Sequence, residues 1–285
     1  SDHVYRNLQD RVELLFENNI RPGLAAVLVG ENPASKIYIN MKTKKFHRLG
    51  LKTQTFKLSI DCSQTDLIQV IENINNDSSF HGILVQLPLP NHIDSNSIIN
   101  SIRPEKDVDG FHPVNAGLLS IGTPRFIPCT PKGIMKILEY YKVNLSGKHV
   151  VVLGRSNIVG RPMSILTSLK TNGANSTTTI CHSGSSNIEK FTKIADIVIV
   201  ALGAPNYLTK DMIKKDAILI DVGINRVNDN SEKGYKLCGD VFWEEVIEKA
   251  EPTSPRYTWL WVKLGALFIS VSTIGIKGFY IISSK

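Results

Sequence analysis

"VVVLGRSNIVGRPMSILT", Val150 to Thr167, decides how this chain folds. An apolar run ends in Gly154, and after five intervening residues Gly160 opens a segment with helical spacing. Strand, glycine turn and helix in that order can leave backbone N–H groups free at a helix N-terminus, where phosphate binds. The spacing is G-x5-G rather than G-x-G-x-x-G. Alone, it also suits a tight strand-to-helix turn that holds no ligand.

The flanking segments extend the pattern. "KHVVVLG" (148–154), "TTTICHS" (177–183), "ADIVIVALG" (195–203) and "DAILIDVGIN" (216–225) are apolar runs suited to strands buried on both faces. A unit specific for NAD carries Asp or Glu at the end of its second strand, to bond the ribose hydroxyls. Here that strand ends "CHSGSS" without an acid, while Arg155 stands in the glycine turn. Both features favour a 2′-phosphate, hence NADP, with NAD as the second choice.

The first half alternates in the same way. "GLAAVLVG" (23–30), "KTQTFKLS" (52–59) and "HGILVQLPLP" (81–90) read as strands. Between them, "ENPASKIYINMKTKKFHRLG" (31–50) and "QTDLIQVIENINND" (64–77) read as helices. In the first of these Asn32 caps, Pro33 takes the first helical position and Gly50 closes. Prolines and glycines thicken at "TPRFIPCTPKG" (123–133), which marks a domain boundary followed by a linking helix. The expected architecture is α/β: a catalytic domain over 1–126 and a Rossmann-like parallel-sheet domain over 127–252.

Composition excludes several classes. The chain has 285 residues, 33 Lys plus Arg against 26 Asp plus Glu, and a net charge of +7 without dense basic runs. That balance suits an acidic small molecule better than nucleic acid. Cys62, Cys129, Cys181 and Cys238 form no C-x-x-C pair, and the histidines show no ligand spacing, so no metal site is expected. The opening "SDHVYRNLQDRVELLF" is helix-like and lacks a signal-peptide pattern, consistent with a cytoplasmic location.

Tyr38 and Lys42 stand four residues apart on one helix face, either as a solvated charged face or as a pair aimed at a substrate. Gln86 ends a buried strand, where α/β folds place ligands, although it could equally finish the strand. Asp109 lies in the loop "PEKDVDGFHP" and could simply brace a turn.

Read together, eight stretches in order resemble the bifunctional methylenetetrahydrofolate dehydrogenase/cyclohydrolase family: "NPASKIYINMKTKK", "GILVQLPLP", "KDVDGFHP", "PCTPKGI", "GRSNIVGRPM", "DIVIVALGAP", "IDVGIN" and "GDV". The resemblance spans about residues 21 to 242. It implies that Lys42 is the essential lysine, that Tyr38 stacks on the aminobenzoate ring of the substrate, and that Gln86 tunes the lysine. It implies further that Asp109 holds the amino group of the pterin and that Leu87 and Pro88 line the substrate. Gly154, Arg155, Ser156, Val159, Gly160, Ser183 and Gly203 match cofactor positions, and Ile224 lies where the backbone meets the nicotinamide amide. The family also implies a folate substrate, with or without a polyglutamate tail, in a cleft between the domains, and a homodimer through the second domain.

The residue types suit that chemistry. A lysine relays protons well only if its pKa falls toward 7, which from a model value near 10.4 asks for roughly 4 kcal/mol. Partial burial beside a ring and a neutral amide supplies such a shift, whereas a carboxylate neighbour opposes it.

After "GDV" the chain departs from the family. The loop "TPVPGGVGPMT" that closes over folate and nicotinamide is replaced by "FWEEVIEKAEPTSPRYTWLWVKLGALFISVSTIGIKGFYIISSK". That departure leaves room for a folate- or nucleotide-binding relic without turnover. The tail, 253–285, reads as helical. Between Lys263 and Lys277 lie 13 uncharged residues, about 20 Å as a helix and short of the roughly 30 Å of a membrane core. A replaced or frame-shifted end explains it better than a membrane anchor.

Overall fold

A computed structural model describes residues 2–231 and 234–248. The expected tail helix and the alternatives for residues 253–285 lie outside the described residues. The chain divides into two compact units between Cys129 and Thr130.

The first unit runs α1 (Asp2–Glu17), β1 (Gly23–Val29), α2 (Pro33–Arg48), β2 (Lys52–Leu58), α3 (Gln64–Asn76), β3 (Gly82–Val85), α4 (Ser95–Ser101) and α5 (Pro113–Ser120). Its three strands are parallel in the order β2-β1-β3. Every residue of the central β1 is buried, which is why the sequence reads as an unbroken apolar run there. The side chains still alternate: Ala25, Val27 and Val29 pack with Leu67, Ile71 and Ile74 of α3. Leu24 packs on the other face with Leu8 and Val12 of α1 and Phe46 of α2. Strand β3 is shorter than the sequence pattern and ends at Val85. Gln86 is therefore the first residue beyond it, held by its N–H to Val27 O at 2.9 Å.

The second unit holds α6 (from Cys129 to Tyr140, opening at the division), β4 (His149–Leu153), α7 (Gly160–Ser168), β5 (Thr177–Cys181), α8 (Glu189–Thr192), β6 (Ile197–Val200), β7 (Ile218–Asp221), a hairpin of β8 (Asn225–Asn228) and β9 (Tyr235–Cys238), and α9 (Trp243–Glu248). Four parallel strands are ordered β5-β4-β6-β7. The chain leaves β4 toward β5 and then returns past it to β6, so the order reverses between β4 and β6. Open α/β sheets bind ligands at that switch point, beyond the carboxyl ends of the strands. No described helix is long and apolar enough to cross a membrane.

Candidate active site

In the first unit the site begins with the cap of α2. Asn32 Oδ1 accepts the Ser35 N–H at 3.1 Å and Pro33 follows it, fixing where the helix starts. Ser35, Ile39, Phe46 and Leu49 form the buried stripe. Lys42 lies three residues after Ile39 and four before Phe46, within that stripe rather than on the solvated face, and it is half-buried. Tyr38 lies at the edge of the stripe, also half-buried.

The loop after α4 brings an acid to the same end of the sheet. Ile83 of β3 makes a parallel bridge to Asp107, with Ile83 N–H on Lys106 O at 2.7 Å. Asp109 stands two residues on, at the level where β3 ends and Gln86 begins. Asp107 braces the turn: its Oδ2 accepts His112 N–H at 2.9 Å and Asn115 Nδ2 at 2.8 Å. Asp109 accepts no such backbone bond among the described residues. It keeps part of its surface accessible, but its carboxyl is enclosed, and the Cys129 thiol approaches its Oδ1 at 4.0 Å. Burial pushes the Asp109 carboxyl up from 3.8 to about 6, against the opposing pull of the Lys42 charge. Lys42 and Asp109 thus share one electrostatic environment.

Gln86 completes this half. Its Nε2 donates to Leu87 O at 2.7 Å, while its buried Oε1 has no hydrogen-bond partner among the described residues. An unpaired buried acceptor costs about 1–3 kcal/mol, so this oxygen is open to a donor from outside the described residues. The peptide bond between Leu87 and Pro88 is cis, with Leu87 partly buried against the core and Pro88 exposed. The Cys129 contact and the Asp107–Asn115 brace escaped the sequence reading. Both depend on long loops returning to β3, and no local periodicity signals them.

The second unit carries the glycine turn. Gly154 has φ +117°, and a Cβ there would stand 2.3 Å from Ala201 O. A Cβ on Gly160 would stand 2.1 Å from Gly154 O. The two glycines let the turn double back on itself and press against the end of β6. Ser156 Oγ accepts the Val159 N–H at 3.1 Å and the Gly160 N–H at 3.4 Å, setting the start of α7. The N–H groups of Arg155, Ser156, Asn157 and Ile158 make no hydrogen bond among the described residues. Free donors in a glycine turn, beside an exposed Arg155, fit a pyrophosphate.

Beside the turn, Gly154 N–H bonds Cys181 O at 2.8 Å, which brings the end of β5 alongside. His182 Nδ1 accepts Gly184 N–H, and Ser183 is exposed between them. No acid follows β5. On the other side of the switch point lie Gly203 after β6, with φ +68°, and Ile224 after β7, 49% exposed. An alanine at Gly160 is expected to cost at least about 2 kcal/mol, since backbone rather than a flexible side chain must move. Thermal unfolding of the Gly160→Ala variant checks this, and an unchanged midpoint would remove the close approach.

Comparison with known proteins agrees with this division of labour. Residues 1–109 match the family model "Tetrahydrofolate dehydrogenase/cyclohydrolase, catalytic domain", and residues 128–258 match "Tetrahydrofolate dehydrogenase/cyclohydrolase, NAD(P)-binding domain". A curated relative, the bifunctional protein FolD of Chlamydia caviae, is 48% identical over 242 residues, covering 85% of this chain and 84% of the relative. The crystal structure of the bifunctional FolD enzyme of Campylobacter jejuni superposes with a TM-score of 0.85 at 38% identity, over 98% of this chain and 96% of that one. The Trypanosoma brucei N5,N10-methylenetetrahydrofolate dehydrogenase-cyclohydrolase, complexed with NADP cofactor and inhibitor, superposes with a TM-score of 0.87 at 30% identity. It covers all of this chain and 96% of its own.

Proposed function

The chain belongs to the tetrahydrofolate dehydrogenase/cyclohydrolase family, and from that premise we propose how its residues perform the two reactions. The protein oxidises 5,10-methylenetetrahydrofolate to the 5,10-methenyl cation with a nicotinamide dinucleotide, NADP, and hydrolyses that cation to 10-formyltetrahydrofolate. What supports the residue assignment is that Asp109 follows the Asp107 bridge to β3, at the strand end where the unpaired oxygen of Gln86 begins, and that its carboxyl feels the charge of Lys42.

When bound, the dinucleotide accepts the hydride that leaves the one-carbon bridge. Everything else falls to the chain. Water adds to the methenyl carbon and loses a proton to give a neutral carbinol. Its hydroxyl then gives up its own proton as the carbonyl forms, the bond to N5 breaks and N5 gains a proton, so one proton is released per cation hydrolysed. Lys42 takes and returns these protons. Gln86 Oε1 accepts a hydrogen bond from the lysine amine and aims it. A carbonyl rather than a carboxylate at that position orients the amine without pinning its charge. Tyr38 stacks against the aminobenzoate ring, with Leu87 and Pro88 along the same edge. Asp109 accepts N–H bonds from the aminopyrimidinone edge of the pterin, a pairing strongest when the carboxyl is ionised.

In the second unit Gly154, Arg155, Ser156, Val159 and Gly160 hold the pyrophosphate. Arg155 and Ser183, with no acid after β5, receive the 2′-phosphate, and Gly203 and Ile224 face the nicotinamide. The same reading extends to a cytoplasmic homodimer acting on folate with or without a polyglutamate tail. Purified protein given methylenetetrahydrofolate and each dinucleotide in turn tests the whole reading through methenyl absorbance. Faster turnover with NADP than with NAD is expected. Folate binding without methenyl formation by either cofactor would make the chain a binding relic.

A further inference from the structure

Two buried carboxylates of the second unit have no part in the roles given so far. Asp221 ends β7 and Asp240 follows β9, and they are 4% and 0% exposed. Each accepts four N–H donors. Asp221 Oδ1 takes the Gly223 and Asp240 N–H groups, both at 3.0 Å. Its Oδ2 takes Val241 N–H at 3.1 Å and Trp243 Nε1 at 3.0 Å. Asp240 Oδ2 takes the Leu202 and Gly203 N–H groups at 2.7 and 3.0 Å. Its Oδ1 takes Ala204 N–H at 2.9 Å and Asn225 Nδ2 at 2.8 Å.

The two acids therefore act in series. Asp221 fixes the backbone of Asp240, whose side chain fixes the loop after β6 and the residue after Ile224. Neighbouring glycines make room for both: a Cβ on Gly239 would stand 1.8 Å from Asp221 Oδ2, and one on Gly223 2.3 Å from Asp240 Oδ1. Burying carboxylates is costly, and well-packed apolar groups stabilise a core as well or better. What this arrangement achieves is geometry. Three successive N–H groups are gathered onto one carboxylate, so the loop 202–204 has one conformation, with Gly203 left-handed. Ala201 O, just before it, abuts Gly154 of the phosphate turn.

The loop 202–204 and Asn225 lie beyond β6 and β7, on the side of the switch point opposite β5. With pyrophosphate at the β4–α7 turn and the adenosine ribose at β5, the nicotinamide falls on that side. We propose that Asp240 is a positioning residue for the nicotinamide end of the cofactor, with Asp221 acting through it; this rests on the dinucleotide reading above. Asp240 touches neither cofactor nor substrate. It holds the backbone that does.

The test uses the full chain and the Asp240→Asn variant, which keeps the shape but sets an amide donor against N–H groups. NADP itself is the probe, titrated by calorimetry. Loss of one or two charge-assisted bonds raises its dissociation constant by about ten- to a hundredfold. Cyclohydrolase is assayed on methenyl substrate without nucleotide. The ratio of dehydrogenase to cyclohydrolase falls by a similar factor, with the loss in KM for NADP rather than in KM for folate. Should Asp240→Asn fail to fold, Asn225→Ala removes a single donor at the rim, and a threefold to tenfold weaker NADP affinity is expected, about 1 kcal/mol. Equal NADP affinity in variant and parent overturns the proposal, as does parallel loss of both activities in a folded variant. A parent chain that binds no NADP removes the dinucleotide reading, and the proposal with it.

Discussion

Lys42→Met is expected to reduce cyclohydrolase turnover by about a hundredfold to ten-thousandfold, the range a positioned proton-transfer group contributes. Methionine keeps the unbranched stem that fills the stripe between Ile39 and Phe46, so the fold and NADP binding persist. Lys42→Arg separates two explanations. Arginine retains positive charge beside Asp109 but cannot give up a proton in a protein, so an electrostatic role survives the change and a relay does not. We expect the arginine variant to be nearly as inactive as the methionine variant. Initial rates on methenyl substrate decide it, and a methionine variant within tenfold of the parent would end the assignment of Lys42.

Asp109→Asn is expected to make the protein more stable and less active. The folded state raises this carboxyl from 3.8 to about 6, chiefly by burial. An acid whose pKa rises on folding favours the folded state in its neutral form. Its contribution is complete below about pH 4 and is lost as pH climbs through 6. Above that the ionised group opposes folding by up to about 3 kcal/mol, less where solvent reaches it. Asparagine is neutral throughout, so the variant gains stability at pH 8 and nothing at pH 4. Urea midpoints at the two values measure this. A gain of equal size at both would place the cause elsewhere than in ionisation. The activity loss has the same origin, because the ionised oxygens that strain the fold are those proposed to accept the pterin N–H groups. Replacing one with an amide donor is expected to raise KM for folate by about a hundredfold.

The pH dependence bears on the lysine as well. A carboxylate near Lys42 was expected to work against a proton relay, and the structure supplies one in Asp109. Below about pH 6 the acid is largely neutral and presents no counter-charge to the amine, whereas above it the ionised acid opposes the relay. Ionised, it is the form proposed to accept the pterin N–H groups.

The layout of strands and helices was legible along the chain because it rests on local physics. Continuous apolar runs announce strands covered on both faces, as β1 and β4 are. Asn32-Pro33 marks a helix start because the Asn side chain and the missing Pro N–H suit an N-terminus. The glycine turn was legible for a similar reason, since only glycine tolerates the approaches at 154 and 160. Even the helical pairing of Tyr38 with Lys42 follows from a repeat of 3.6. Which way that face points does not. That Lys42 lies in the buried stripe, that the loop at Asp109 returns to the end of β3, and that Asp221 and Asp240 act in series all require segments far apart in the chain to meet. Periodicity carries no record of such meetings. A lone aspartate in "IDVGIN" or "GDV" looks like any turn residue until the fold supplies its donors. The sequence by itself determined the elements and the class of chemistry; the tertiary structure alone decided which charges are buried together, because burial and hydrogen bonding depend on what packs around a group rather than on its neighbours in the chain.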